Sequence, residues 1–366
     1  MGRPLYKPKT EEFMKKIVSL LLLFCAVIHF SSCSTPSQEA DYEVRSRTIS
    51  TTHLDPVSII STYKDTNDDA IENYVDICKQ TLEYYHKLFN IYFEYSGVNN
   101  ICTINKNAGN SPVKVDEELI KFLKYCKELY TITKGKTNIM LGSVLTIWHG
   151  TREKANDNFG FLNESDLPTN EELAEASKHI SIDLLVINES DSTAYISDPR
   201  ASIDVGAVAK GYVVDKLYEV LKSRGADSVA LNIGGNVRTI GLKPDGTKWV
   251  SGITNPNKLS EESLYCKIRI GDTSIVTSGD YERYFIAGDK EYHHIIDPET
   301  LQPAKYFSSV SIITKNSALA DALSTALFCM SYEDGLALVN SIGGIEVIWI
   351  DLSYNMKTTP GIEIVS

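Results

Sequence analysis

From about Asn67 to Tyr92, NDDAIENYVDICKQTLEYYHKLFNIY places apolar residues at helical spacing behind an acidic first turn. That period predicts a long amphipathic helix. Asp116 to Thr133 repeats the pattern and predicts a second one. Between them YSGVNNICTIN reads as a loop entering a short helical turn or strand. Gly150 to Ala176 is polar and turn-rich until its end, which predicts a surface excursion that then enters a helix.

The second half changes period. HISIDLLVINES, TAYIS and ASIDV read as strands, the stretch after Val205 as a helix ended by Gly225, and DSVALNIGGNVRTIGL as two strands joined by a glycine turn. KWVSGIT, LYCKIRIG, SIVTSG, ERYFIAG, SSVSIITK and IEVIWID read as further strands, interrupted by one last helix at Ala318 to Met330. Long helices mixed with strand runs predict an α+β fold rather than a regular doubly wound one.

Composition narrows the function. The 366 residues, 43% hydrophobic and 23% charged, supply core for one large domain or two modest ones. A formal charge of -12 and the lack of a basic cluster exclude nucleic acid, whose phosphates are met by Lys and Arg. An anionic ligand therefore needs a local, focused site. From Met14, MKKIVSLLLLFCAVIHFSSCS sets two lysines before an apolar run from Ile17 to Phe30, then small residues and Cys33. This is the order of a secretory signal, too short for a transmembrane helix. FSSC resembles a bacterial lipobox, with Phe30 in place of the usual Leu. The expected organisation is an over-extended start at 1–13, a lipoprotein signal at 14–33 lipidated on Cys33, a polar tether at 34–48 and one domain at 49–366. The five remaining cysteines have neither CxxC nor zinc spacing and read as scattered core thiols.

Three segments carry candidate chemistry. In IDVGAVAKGYVVDKL, a strand ending at Asp204 or Val205 leads through Gly206, Ala207 and Ala209 into a helix, whose free N–H groups and Lys210 suit a phosphate. The same small residues equally suit tight packing of a helix on its neighbour. In NSALADALSTALFCM, Asp321, Ser324 and Thr325 share one helix face, a partial oxygen shell for Mg²⁺. Alternatively, the two hydroxyls bond back to helix carbonyls. In EYHHIIDPETLQP, His293 and His294 point to opposite faces of a strand, so only one can line a cleft.

Together DVGAVAKGYVVD, LNIGGNVRTIG, VTSGDYERYF, HIIDPETLQP and ADALSTALF resemble, in order and approximate spacing, the FAD:protein FMN transferase family, the ApbE-type thiamine-biosynthesis lipoproteins. TKGKTNIMLGSVLTIW is similar to a further family segment. The resemblance covers about Ile49 to the C-terminus. It implies a single catalytic domain related to the T-fold, with mixed sheets, packed helices and a nucleotide cleft. It also implies FAD as substrate, Mg²⁺ held by Ala207 through its carbonyl, Asp321, Thr325 and neighbouring Ser324, and flavin contacts from Tyr95, Lys136, Thr137, Asn138, Asp204 and Lys210. His294 lines the nucleotide cleft and is implicated in catalysis. Several positions depart from the family pattern: Asn99-Asn100-Ile101, Lys136-Thr137-Asn138, Asn236 in place of a common Asp, and Leu301 where the family has Gly.

The implied reaction is Mg²⁺-dependent transfer of FMN from FAD to a threonine hydroxyl of an acceptor protein, with release of AMP. Acceptors would be subunits of membrane electron-transport complexes, reached outside the cytoplasm by a lipid-anchored bacterial enzyme facing the periplasm or cell exterior. The alternatives are an Mg²⁺-dependent FAD pyrophosphatase and a lipoprotein that binds FAD without turnover.

Overall fold

Eight strands form one fully antiparallel sheet whose spatial order is also their chain order. They are β1 (Val44–Ile49), β2 (Ser58–Tyr63), β3 (Val229–Ile233), β4 (Asn236–Ile240), β5 (Ser274–Gly279), β6 (Phe307–Thr314), β7 (Glu346–Asp351) and β8 (Met356–Thr358). The computed structural model describes residues 44–49, 58–63 and 67–365. The signal, Cys33 and most of the tether lie outside those residues. The tether expected over 34–48 is corrected at its end: Val44 onward is already β1, because its backbone pairs with β2 from Val44↔Tyr63 to Ile49↔Ser58.

The helices enter between strands. Six follow β2: α1 (Asp68–Phe89), α2 (Ile101–Lys106), α3 (Glu117–Ile132), α4 (Gly142–Asp157), α5 (Asn170–Ala176) and α6 (Ala209–Ser223). Between β6 and β7 come α7 (Ser317–Phe328) and α8 (Tyr332–Ile342). The caps explain the boundaries. The Asn67 side chain accepts from the Asp69 N–H and that of Asp116 from the Glu118 N–H, so α1 and α3 start one residue later. Gly234 and Gly235, at φ +52° and +89°, make the tight turn between β3 and β4.

Three expectations are corrected. Ala201 to Val205 is not a strand, because the Asn105 amide from α2 takes up both backbone groups of Ile203, at 2.8 and 3.0 Å. The polar stretch after Gly150 stays helical to Asp157. The helix at 317–328 is followed by another, α8, capped by Ser331 on the Asp334 N–H.

The sheet is apolar on both faces. Val276, Val347 and Trp349 pack with α7 and α8, while Ile275, Ile348 and Ile350 pack with Trp249, Ile253, Ile268 and Ile270 of a small sheet on the other side. This is why IEVIWID reads as an unbroken apolar run. A larger core joins α1, α3 and α6 to β2, β3 and the start of α7. Cys78, Cys102, Cys126 and Cys329 are buried free thiols within these layers, and Cys266 is half-buried and free. No helix among the described residues is long and apolar enough to cross a membrane.

Candidate active site

Helices α6 and α7 meet at a glycine. A Cβ on Gly211 would overlap the Ser317 carbonyl and lie 2.7 Å from Asp321 Cβ and 2.8 Å from Ala318 Cα. Close approach lets the Asp321 carboxylate, 5% exposed, accept the Gly211 N–H at 2.8 Å. Val208, the residue before α6, provides no side-chain cap, so Asp321 caps that helix from across the interface. The packing and phosphate readings of the small residues therefore describe one place. The Lys210 N–H makes no hydrogen bond among the described residues, and its Nζ donates to the Gly234 carbonyl at 3.3 Å.

Electrostatics follow from burial. Desolvation pushes the Asp321 carboxyl upward, opposed by the Lys210 ammonium, the Gly211 N–H and the Asn236 amide. Asn236 is buried, and its Nδ2 makes no well-formed hydrogen bond among the described residues. Thr325, one turn along from Asp321, is half-buried and its hydroxyl is likewise unbonded. Ser324 is different. Its hydroxyl donates to the Asp321 carbonyl at 2.9 Å and meets Ser278 Oγ at 2.8 Å, the back-bonded arrangement. A buried carboxylate with one oxygen engaged and a free hydroxyl one turn away fit a hard cation with oxygen ligands. No cluster of three His, Cys, Asp or Glu exists among the described residues, so this is not a zinc-type set.

The two histidines divide, although the strand ends at His293 and His294 lies just beyond it. His293 is buried, its Nε2 donating to the Ala304 carbonyl at 2.8 Å and its Nδ1 accepting the Ile295 N–H at 3.2 Å, a satisfied neutral core ring. His294 lies against the carbonyl of Arg283, 3.3 Å from its Nδ1, which leaves Nε2 as the proton acceptor. Burial, then the charges of Arg283, His293 and Arg152, push its pKa down to about 3.

A family model described as the ApbE family matches residues 56–349. The chain belongs to the ApbE family. Among its relatives, the FAD:protein FMN transferase of Treponema pallidum is 30% identical over 276 residues, covering 72% of this chain and 73% of that protein. That of Haemophilus influenzae is 25% identical over 356 residues, covering 94% and 97%. An ApbE protein from Thermotoga maritima superposes with a TM-score of 0.72 at 26% identity, covering 87% of this chain and 97% of that one. The flavin transferase ApbE from Vibrio cholerae gives 0.70 at 25% identity with the same coverage.

Against this ApbE frame the other expected residues separate. Asp204 sits half-buried in the loop before α6, its N–H on the Ile139 carbonyl and its Oδ1 accepting the Gly206 N–H at 2.9 Å. Ala207 is half-buried two residues before α6. The Tyr95 hydroxyl is held by His86 Nε2 at 3.0 Å and Asn90 Nδ2 at 3.2 Å. The 136–138 segment is turned into the protein. Lys136 pairs with buried Asp297 at 2.9 Å and with Glu299 at 3.0 Å. Thr137 donates to the Ala322 carbonyl of α7 at 2.6 Å, and Asn138 to the Ile180 carbonyl at 2.8 Å. Leu301 adopts φ +61°, a left-handed conformation that a glycine would take without strain.

Sequence reading missed four residues here. Arg152 and His149 lie one turn apart on α4; the charges of Arg152 and Arg283 act together on exposed Tyr92, His149 and His294, with Asp204 nearby, and burial lowers the His149 pKa. Neither arginine side chain makes a hydrogen bond or ion pair among the described residues. Burial and the neighbouring Arg283 hold the Arg152 guanidinium below its usual range. Asp215 was the fourth: it caps α7 from α6, as described below. Only its place in the motif, four residues after Gly211, hinted at it.

Proposed function

We propose that this protein transfers FMN from FAD to a threonine hydroxyl of an acceptor protein and releases AMP, with Mg²⁺ held by Asp321, Thr325 and the Ala207 carbonyl. The observation that carries this reading is the buried Asp321 at the junction of two helices, one oxygen tied to Gly211 and an open hydroxyl one turn away. Membership of the ApbE family, with relatives named FAD:protein FMN transferase, supports the same chemistry.

When bound there, Mg²⁺ supplies charge neutralisation at the diphosphate and the departing AMP. The chain's own residues do the rest. The Lys210 N–H and ammonium hold diphosphate oxygens at the start of α6. His294 Nε2 takes the threonine proton as the hydroxyl oxygen bonds to the FMN phosphorus and the bond from that phosphorus to the AMP oxygen breaks. Burial is the main cause of the low His294 pKa, and an anion beside Arg152 and Arg283 offsets the arginine charges that add to it, so the base gains proton affinity when the site is loaded.

The acceptors proposed are subunits of membrane electron-transport complexes, and the enzyme is proposed to be exported and anchored through lipidated Cys33. Mass spectrometry of the mature N-terminus tests the anchor; an unmodified Cys33 would discard it. For the reaction, protein with FAD and Mg²⁺ is incubated with and without a threonine-bearing acceptor domain, following AMP and flavin fluorescence on denatured acceptor. Covalent flavin with matching AMP supports transfer. AMP without acceptor means pyrophosphatase activity, and tight FAD binding without AMP means a carrier.

A further inference from the structure

The contact between α6 and α7 is reciprocal. Asp321 of α7 caps α6 through Gly211, and Asp215 of α6 caps α7: its Oδ1 accepts the Ser317 N–H at 2.8 Å and its Oδ2 the Ala318 N–H at 2.9 Å. The accounting at α7 is complete. Ser317 and Ala318 go to Asp215, Leu319 to the Asn316 side chain at 2.7 Å, and Ala320 to the Asn316 carbonyl at 3.0 Å. Buried Arg238 supports the same junction. It donates to the Lys315 carbonyl at 2.8 Å, stacks 3.9 Å from the Tyr218 ring centroid, and its charge opposes the burial that raises the Asp215 carboxyl to about 6. A helix whose local cap already satisfies one donor does not need a half-buried carboxylate from a neighbour merely to begin. What the second carboxylate adds is a fixed height of α7 along α6, and with it the place of Asp321 and Thr325.

We propose that Asp215 is a positioning residue that sets the metal-binding face of α7 without touching metal or substrate. This rests on the reading of Asp321 and Thr325 as Mg²⁺ ligands. Partners that orient metal ligands change metal affinity by about 10–100-fold when removed. Asp215→Asn keeps the shape but sets an NH₂ against one of the two helix N–H groups.

The test uses the full chain and Mn²⁺ as the probe, with binding read by the loss of the free-ion EPR signal and turnover read separately. Asp215→Asn is expected to weaken Mn²⁺ binding about tenfold while kcat at saturating metal stays within about twofold of the parent. Ser317→Pro removes one donor where proline is tolerated, at the first position of a helix, and leaves the carboxylate intact. It is expected to shift binding in the same direction by less, and it carries the test if Asp215→Asn does not fold. Asp321→Asn separates the two ideas. If it abolishes Mn²⁺ binding while both clasp variants bind like the parent, Asp215 has no positioning role. If it binds Mn²⁺ normally, the metal reading itself is wrong. A fall in kcat at saturating metal with unchanged affinity overturns the proposal as well.

Discussion

The α6–α7 junction and the mouth of the site around His294 are built on opposite terms. At the junction a buried carboxylate, Asp321, and a half-buried one, Asp215, are both tied to helix N–H groups, and a glycine removes the last obstacle to contact. At the mouth, Arg152 and Arg283 make no ion pair among the described residues, Tyr92 is 63% exposed, and His294 is held by a single carbonyl. The junction is finished before any ligand arrives. The mouth has charge left over, and that charge is what a ligand can use.

The contrast can be broken experimentally. The largest effect expected is from Asp321→Ala, which should abolish turnover while far-UV circular dichroism and cooperative melting persist; normal activity would remove Asp321 from the metal site. Next, His294→Ala should slow the chemical step about a hundredfold or more, as loss of a general base does. Its FAD dissociation constant should stay near the parent's, and equal losses in both would make His294 a binding residue. Gly211→Ala should destabilise the fold by about 1–3 kcal/mol, the usual range for overpacking, seen in urea melts. An unchanged midpoint would mean that the helices can part freely. Arg152→Gln should leave that midpoint alone but raise the pH at which the His294 ring titrates by NMR. No movement would show that Arg152 does not act on the base.

The smallest effect concerns acid stability. Burial, with Arg283, His293 and Arg152, lowers the folded pKa of His294 from 6.5 to about 3. Between those values the unfolded chain binds a proton that the folded chain refuses, so this stability is present above pH 6.5 and lost as pH falls toward 3. His294→Gln should flatten part of the fall in melting temperature between pH 7 and 4. A curve parallel to the parent's would assign the acid limb to other groups.

How much was legible depended on how far each interaction reached. Helices α1 and α3 carry their periods and caps within a few residues, so both starts and the end of α3 were readable almost to the residue, while α1 stops at Phe89, short of the expected Tyr92. Asp204, Lys210, His294, Asp321 and Thr325 could be singled out from sequence because each stands in a local motif. Ala201 to Val205 has strand composition, yet Asn105, distant in sequence, satisfies its backbone. Helix α8 was missed although Ser331 and Asp334 stand at capping distance, a signal that could have found it. Arg152 and Arg283 belong to separate segments whose proximity only tertiary structure creates. The 136–138 segment shows the converse: local likeness pointed to ligand contacts, and the folded chain spends those side chains on Asp297, Ala322 and Ile180.

The order of the sheet also sets a clock. Strands β2 and β3 are direct neighbours, Ser58 facing Ile233, yet every residue of six helices is synthesised between them. At ribosomal speeds of about 5–20 residues per second, β1 and β2 wait roughly 10–30 s for a partner. A lone antiparallel pair is marginal in water and its open edge invites other chains. Asp68 and Glu72 of α1 follow β2 within a few residues, so Arg45 and Arg47 of β1 meet their partners early in that interval. The two side chains that tie the finished sheet to its first helix are thus available to hold that helix against the strand pair long before β3 arrives.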